Sequence, residues 1–188
     1  MISDEEIIKG CIDGDKKFQR LLYEKYASSM LGVCIRYFKD TEEAEDALQE
    51  GFIKVFRYLK DFQFNGSFEG WIRRIMITTA LNFYKKKRIY QNEAELTYLP
   101  EGVVNEQEAI SNLAQAEIMT LVNNLPNGYR KVFSLNTIEG YSHKEISQLL
   151  HISINTSKSQ LNRARMSLQK RLIGKDKIHQ KHTILKSA

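Results

Sequence analysis

The 188 residues predict an all-α fold of two small helical domains joined by a flexible linker, the C-terminal one containing a helix-turn-helix. Three observations lead there. The chain holds only 2 Pro and 10 Gly, the residues that punctuate strands and turns. No segment alternates apolar and polar residues over more than a few positions, while apolar residues recur at spacings of three and four through most of the length. The exception is 90–107, which has no sustained period, several Glu and a Pro100-Glu101-Gly102 break, and reads as the linker. The domains are therefore expected over 1–89 and 108–173, with a basic tail over 174–188.

In chain order, Ser3 followed three residues later by Glu6 is a capping box, opening a short helix that should stop near Gly14. Phe18, Leu21, Leu22, Tyr26, Met30, Cys34 and Phe38 mark a long amphipathic helix from Asp15 to Phe38. Thr41 can cap a third helix reaching Leu59, with Glu42 and Glu43 in the first turn where the helix dipole favours anions. Its buried stripe is Ala44, Ala47, Leu48, Phe52, Val55, Phe56 and Leu59. Opposite that stripe, Asp46, Gln49, Glu50 and the off-stripe Ile53 mix acids, an amide and an apolar side chain. Such a patch suits protein docking, and a solvated acidic face is the other reading. A metal site at Asp46 and Glu50 is disfavoured, because no further carboxylate or His is spaced to complete a shell.

Between Asp61 and Phe68 the helical pattern breaks at a turn-prone Asn65-Gly66 and three aromatics, candidates for stacking on unpaired bases. Ser67 can cap a fourth helix through Trp71, Ile72, Ile75, Thr79 and Phe83 to Lys85-Lys86-Lys87-Arg88. From Trp71 to Tyr90 there are six cations and no acids. Phe68 and Trp71 are expected to be partly buried, with Phe64 and Asn65 reachable.

Beyond the linker, Ile110, Leu113, Ala114, Ile118, Leu121, Val122 and Leu125 mark a helix. Pro126 suits the first turn of the next, which runs through Tyr129, Val132 and Phe133 to a turn at Gly140. Ser142 and Glu145 form a second capping box, starting a short helix with an Ile146, Leu149, Leu150 stripe. After three residues Ser153 can cap a longer helix whose inner side is Leu161, Ala164, Leu168 and Leu172. Its outer side carries Asn155, Thr156, Ser159, Asn162 and Arg163, flanked by Lys158 and Arg165. These are hydrogen-bonding groups and cations suited to base edges and phosphates in a major groove. A solvated basic helix is the alternative, disfavoured by the capped helix and tight turn before it. The tail from Gly174 is basic and weakly periodic, and should fray.

Charge and composition narrow the function. The net charge is +5, and residues 142–188 carry ten Lys and Arg against two acids, so a polyanion partner fits that end. Cys11 and Cys34 stand far apart with no His at ligand spacing and read as core, so no metal, cofactor or disulfide is implied. No apolar run reaches the ~18 residues of a membrane span. Met1 to Lys9 has acids where a signal peptide needs cations, which predicts a cytoplasmic protein. No cluster of His, Cys and carboxylates forms a catalytic set, so the chain is not read as an enzyme.

Several stretches together resemble the extracytoplasmic-function (ECF) group of bacterial RNA polymerase sigma factors, in the sigma-70 family. They are Ala44-Glu45-Asp46-Ala47-Leu48-Gln49-Glu50-Gly51-Phe52; Phe68-Glu69-Gly70-Trp71-Ile72-Arg73-Arg74-Ile75 on to Asn82; Leu125-Pro126 to Phe133; Glu139-Gly140-Tyr141-Ser142 to Ile146; and Thr156-Ser157-Lys158-Ser159 to Arg163-Ala164-Arg165. The resemblance covers nearly the whole chain. It implies that the helix of Asp46, Gln49, Glu50 and Ile53 docks on the clamp helices of the polymerase largest subunit. It implies that Phe64, Asn65 and Ser67, with Arg73, Arg74, Thr78, Asn82, Lys85 and Lys86, open and hold the promoter −10 element. It implies that Thr156, Lys158, Ser159, Gln160, Asn162, Arg163 and Arg165 read the −35 element as duplex. The partners implied are core RNA polymerase, including the flap of its second-largest subunit, promoter DNA and an anti-sigma factor. Three positions depart from the family's habit: Thr78 where Asn is common, Gln160 where a basic residue is common, and Ser157 where Val is common. A stand-alone transcriptional regulator using the same helix-turn-helix is the competing reading, though it needs neither the acidic patch nor the basic aromatic module.

Overall fold

The computed structural model describes residues 2–38, 40–90 and 118–186, and no strand occurs among them. The described α-helices are, in order, α1 (Asp4–Ile12), α2 (Lys16–Ile35), α3 (Thr41–Tyr58), α4 (Phe68–Tyr90), a helical stretch at 118–123, α5 (Asn127–Phe133), α6 (His143–Leu150) and α7 (Ile154–Lys186). The chain divides into two compact units, Met1–Glu95 and Leu96–Ala188. The expected all-α fold is the one observed.

In the first unit the predicted capping box closes α1. Ser3 Oγ accepts from the Glu6 amide at 3.2 Å, and the Glu6 carboxylate accepts from the Ser3 amide at 2.8 Å. Asp15 caps α2 by accepting from the Lys17 amide at 2.8 Å. At α3 the cap lies one residue earlier than expected. Asp40 accepts from the Glu42 amide at 3.1 Å and Thr41 is the first helical residue. Both residue types cap well, and the Asp carboxylate adds a full negative charge at the positive end of the helix dipole.

The core forms where the stripes of α2, α3 and α4 meet. Leu22, Met30 and Cys34 from α2, Ala44, Ala47 and Val55 from α3, and Ile72, Met76 and Ala80 from α4 are all fully buried. At Gly51 of α3 a Cβ would overlap the Met76 side chain of α4, so the pair packs closely because Gly51 lacks one. The α3 face opposite this contact is left to solvent.

In the second unit, helical residues 118–123 lead to Pro126, which is the N-cap of α5 and not part of its first turn. Arg130 is 97% removed from solvent, its guanidinium donating to Asn123 O at 3.0 Å and Asn127 Oδ1 at 2.9 Å. The arginine thus joins the two helices across the proline. Leu121, Val122, Leu125, Ala164 and Leu168 form the local core, with Tyr129 and Phe133 packed against it.

Four details differ from the sequence reading. A π-helical turn, Ser134–Ile138, extends α5, with Glu139 N donating to Ser134 O at 3.0 Å. Leu172 is 44% exposed, so the buried stripe of α7 ends at Leu168, and Ile118 is likewise exposed. The backbone of α7 continues to Lys186 through the stretch expected to fray from Gly174. One glycine costs a helix only about 1 kcal/mol and no proline follows it, so nothing in that stretch forces a stop. The linker assigned to 90–107 lies outside the described residues except Tyr90, which ends α4, as do Ile110, Leu113 and Ala114 of the next helix.

Candidate nucleic-acid and protein interfaces

The solvent face of α3 carries Asp46, Gln49 and Ile53, all exposed, with Ile53 at 53%. Glu50 on its flank is half-buried and pairs with Lys54 at 3.4 Å, one helical turn on. Lys54 Nζ also donates to Thr79 Oγ1 at 3.3 Å, which ties this flank to α4. An exposed isoleucine among an amide and acids, on a helix anchored by its other side, is a rigid patch of mixed chemistry.

A second face is built from the loop before α4 and the outer side of that helix. Phe62 is its hub, with ring centroids 4.9 Å from Phe64, 5.1 Å from Phe68 and 5.4 Å from Trp71. Phe68 is more buried than expected, at 4% exposure, because its ring packs nearly perpendicular to that of Tyr26 of α2, with centroids 5.7 Å apart. Trp71 is half-buried, as expected. Phe64 is 54% exposed and Asn65 is also exposed. Phe64 takes a φ of 57°, a left-handed conformation disfavoured for a residue with a Cβ, and Gly66 N donates back to Phe64 O at 3.0 Å. The tight turn thus holds an aromatic ring outward on a loop whose base is pinned by three other aromatics. Phe62 was not singled out by the sequence reading, although three aromatics within seven residues were the available signal.

On α4 itself, exposed Ser67 caps the helix, accepting from the Gly70 amide at 3.0 Å. Arg74, Thr78, Asn82 and Lys85 recur at spacings of four and three and so share one side, with Arg73 and Lys86 flanking it. Arg74, Asn82, Lys85 and Lys86 are exposed, and Arg73 and Thr78 are half-buried. Arg73 and Thr78 are among the groups already engaged within the protein. Arg73 pairs with Glu69 at 3.1 Å, and the Thr78 hydroxyl donates to Arg74 O at 2.7 Å. The row is therefore a cationic strip, with Glu69 as a countercharge at its aromatic end.

The third face is the helix-turn-helix. Ser142 Oγ and the Glu145 amide are 3.3 Å apart in the predicted capping box. His151 ends α6 with a φ of 53°, and Ser147 Oγ closes the turn by donating to Ile152 O at 2.7 Å. Ser153 caps α7, accepting from the Thr156 amide at 2.9 Å. Leu161, Ala164 and Leu168 face inward, while Lys158, Ser159, Asn162, Arg163 and Arg165 are exposed and Thr156 and Gln160 half-buried. Gln160 does not stand free: its amide nitrogen lies 3.2 Å from where a Cβ on Gly128 would sit. Arg163 Nη1 donates to Tyr129 Oη at 3.4 Å. Tyr129 is a contributor that the sequence reading did not assign to this face.

Two family descriptions match the chain. Sigma-70 region 2 matches residues 22–89, which include the α3 face and the α4 strip, and sigma-70 region 4 matches residues 115–168, which include α6 and the exposed part of α7. The chain belongs to the sigma-70 family. As a member it directs RNA polymerase to promoters. The relatives it resembles point to the ECF group of that family. It is 29% identical over 176 residues to the ECF RNA polymerase sigma factor SigW of Bacillus subtilis, covering 88% of this chain and 94% of that one. It is 27% identical over 180 residues to the RNA polymerase sigma-H factor of Pseudomonas aeruginosa, covering 90% and 93%. With the ECF RNA polymerase sigma-E factor of Haemophilus influenzae it shares 26% identity over 182 residues, covering 91% and 96%. Among solved structures, the fold is similar to that of the sigma factor RpoE of Bartonella quintana, crystallised with the anti-sigma factor NepR. That match has a TM-score of 0.54 at 17% identity, covering 81% of this chain and 95% of that one. No described helix of this sigma factor is long and apolar enough to cross a membrane.

Proposed function

We propose that this sigma factor holds core RNA polymerase through the α3 face and reads the promoter twice, as separated strands with the first domain and as duplex with the second. Residues 1–89 form the first domain, 108–173 the second, and 90–107 span between them. Asp46, Gln49, Glu50 and Ile53 dock on the clamp helices of the polymerase largest subunit, Ile53 giving the apolar contact and the acids complementing basic side chains. Phe64, held outward by its turn, offers a platform for a base of the −10 element leaving the stack. Asn65 and Ser67 lie beside it, and Arg73, Arg74, Thr78, Asn82, Lys85 and Lys86 track the adjoining phosphates and sugars. For Arg73 this means exchanging Glu69 for a phosphate. The exposed side of α7, from Thr156 through Lys158, Ser159, Gln160, Asn162 and Arg163 to Arg165, enters the major groove of the −35 element.

The observation that carries this reading is the exposed, left-handed Phe64 at the head of a cationic helix face, in the same chain as a helix-turn-helix with an open polar side. A regulator of duplex DNA has no use for the first. On this reading the chain has no catalytic activity, acts in the cytoplasm beside the polymerase, and is held inactive by an anti-sigma factor that covers one or more of these faces. Mixing the full chain with core polymerase tests it. A stable complex in size-exclusion chromatography, with promoter binding that needs the polymerase, is the expected result. Tight duplex binding by the chain alone, with no polymerase complex, would favour the stand-alone regulator.

A further inference from the structure

Among the residues of α7 whose burial is described, Ser157 is the one polar side chain that is buried, and it is fully removed from solvent. Burying a hydroxyl is unfavourable unless it finds a partner. Here the partner comes from the other helix of the motif: His143 Nδ1 and Ser157 Oγ lie 2.9 Å apart. His143 is the first residue of α6, and its backbone is fixed by the Ser142–Glu145 capping box immediately around it. Ser157 sits directly before Lys158 and Ser159. Ile146 of α6 and Leu161 of α7 are buried as well, and apolar packing of this kind is non-directional and tolerates small rolls of one helix on another. A hydrogen bond at 2.9 Å is directional and selects one roll.

We infer that the His143–Ser157 pair is a positioning device that sets the angle at which α7 presents Lys158, Ser159 and Asn162 to the −35 bases. Ser157 is fully buried and His143 is half-buried against it, so the pair acts through the helix orientation and not through a DNA contact of its own. The inference rests on α7 being the −35 reader. It adds that base discrimination depends on a contact hidden from the DNA, and that two side chains 14 positions apart act as one unit in it.

Val and Thr are close in shape but only Thr keeps the hydroxyl, so comparing Ser157→Val with Ser157→Thr separates the bond from the bulk. Holoenzyme made with the full chain is given a promoter library randomised over the −35 element. Preference is read as the ratio of binding to the selected sequence and to single-base variants of it. A typical net hydrogen bond corresponds to a roughly two- to tenfold change, so Ser157→Val should flatten the preference by about that factor. Ser157→Thr should retain it. His143→Phe should flatten it equally, and the double variant His143→Phe with Ser157→Val should show no further loss, the signature of a coupled pair. The salt dependence of binding should stay at the wild-type slope in all four, because no phosphate contact is removed. Lys158→Ala and Arg163→Ala serve as references. If they lose binding while Ser157→Val and His143→Phe keep wild-type preference, the positioning role is overturned and the −35 assignment stands. If the two reference variants also bind as wild type, the −35 assignment itself is overturned.

Discussion

Replacing Phe64 with glycine should separate the stability of the first domain from its ability to hold open DNA. Phe64 is 54% exposed at a φ of 57°, a conformation costing an L-residue about 1 to 2 kcal/mol that glycine does not incur. Against that gain stands the extra backbone freedom of glycine in the unfolded chain, about 0.5 to 1 kcal/mol. Loss of the ring contact with Phe62, at 4.9 Å between centroids, removes a further contribution of about 0.5 to 1.5 kcal/mol. These terms cancel to within roughly 1 kcal/mol, so the urea midpoint should barely move. Promoter opening has no such compensation. Base stacking on an aromatic is worth about 1 to 3 kcal/mol, so the population of open complexes should fall by roughly five- to 150-fold. Permanganate reactivity of −10 thymines in the holoenzyme complex reads that population directly, and Phe64→Trp should retain it. Wild-type reactivity in Phe64→Gly would refute the stacking role. A stability loss well above 3 kcal/mol would show that the ring belongs to the core.

On the α3 face, Glu50→Lys places a cation where polymerase cations are proposed to dock and should weaken core binding by at least about tenfold in a competition assay; wild-type affinity would remove Glu50 from the interface. On α7, Lys158→Ala should lower the slope of log affinity against log salt by about 0.9 with little change in base preference, whereas Arg163→Ala should relax preference at one base pair and cost about 1 to 3 kcal/mol. An unchanged footprint in both would reject the orientation of the helix. Burial pushes the Cys34 thiol up to about 12 and the Cys11 thiol to about 11, so neither should react with a maleimide at pH 7 in the native protein. Because the folded-state values lie above the ordinary one near 9, the neutral thiols favour the fold fully below pH 9 and lose that contribution as pH rises toward 12. Thermal unfolding followed from pH 8 to 11 should show a decline that Cys34→Ala makes shallower. A decline of equal steepness in that variant would assign the alkaline loss to other groups.

The elements legible in the sequence were those in which several local signals agreed. Ser3 with Glu6 and Ser142 with Glu145 each offered hydroxyl and carboxylate at capping distance, and both boxes are formed. The α3 stripe left Asp46, Gln49 and Ile53 outward because a helix buried on one side has its opposite side fixed by geometry. What depended on tertiary neighbours was less legible. Adjacent Asp40 and Thr41 compete for one cap, and periodicity does not choose between them. Leu172 continues the apolar spacing of α7 but is 44% exposed, since spacing records direction and not where the partner ends. Phe62 and Phe64 look alike in the chain, yet one is the hub of a ring cluster and the other its exposed edge. Ser157 lies on the inward side of α7, but its compensation by His143 required two helices to be brought together. The α7 face itself was readable because Lys158, Ser159, Asn162 and Arg163 share a side that an apolar stripe leaves open.

Run-off transcription with purified core polymerase, with and without this protein, on a promoter library tests the central claim most directly. The account predicts that adding the chain yields transcripts with defined 5′ ends, preceded by one shared −10 sequence and one shared −35 sequence, and that core polymerase alone yields none of them. Identical transcripts with and without the protein would contradict it.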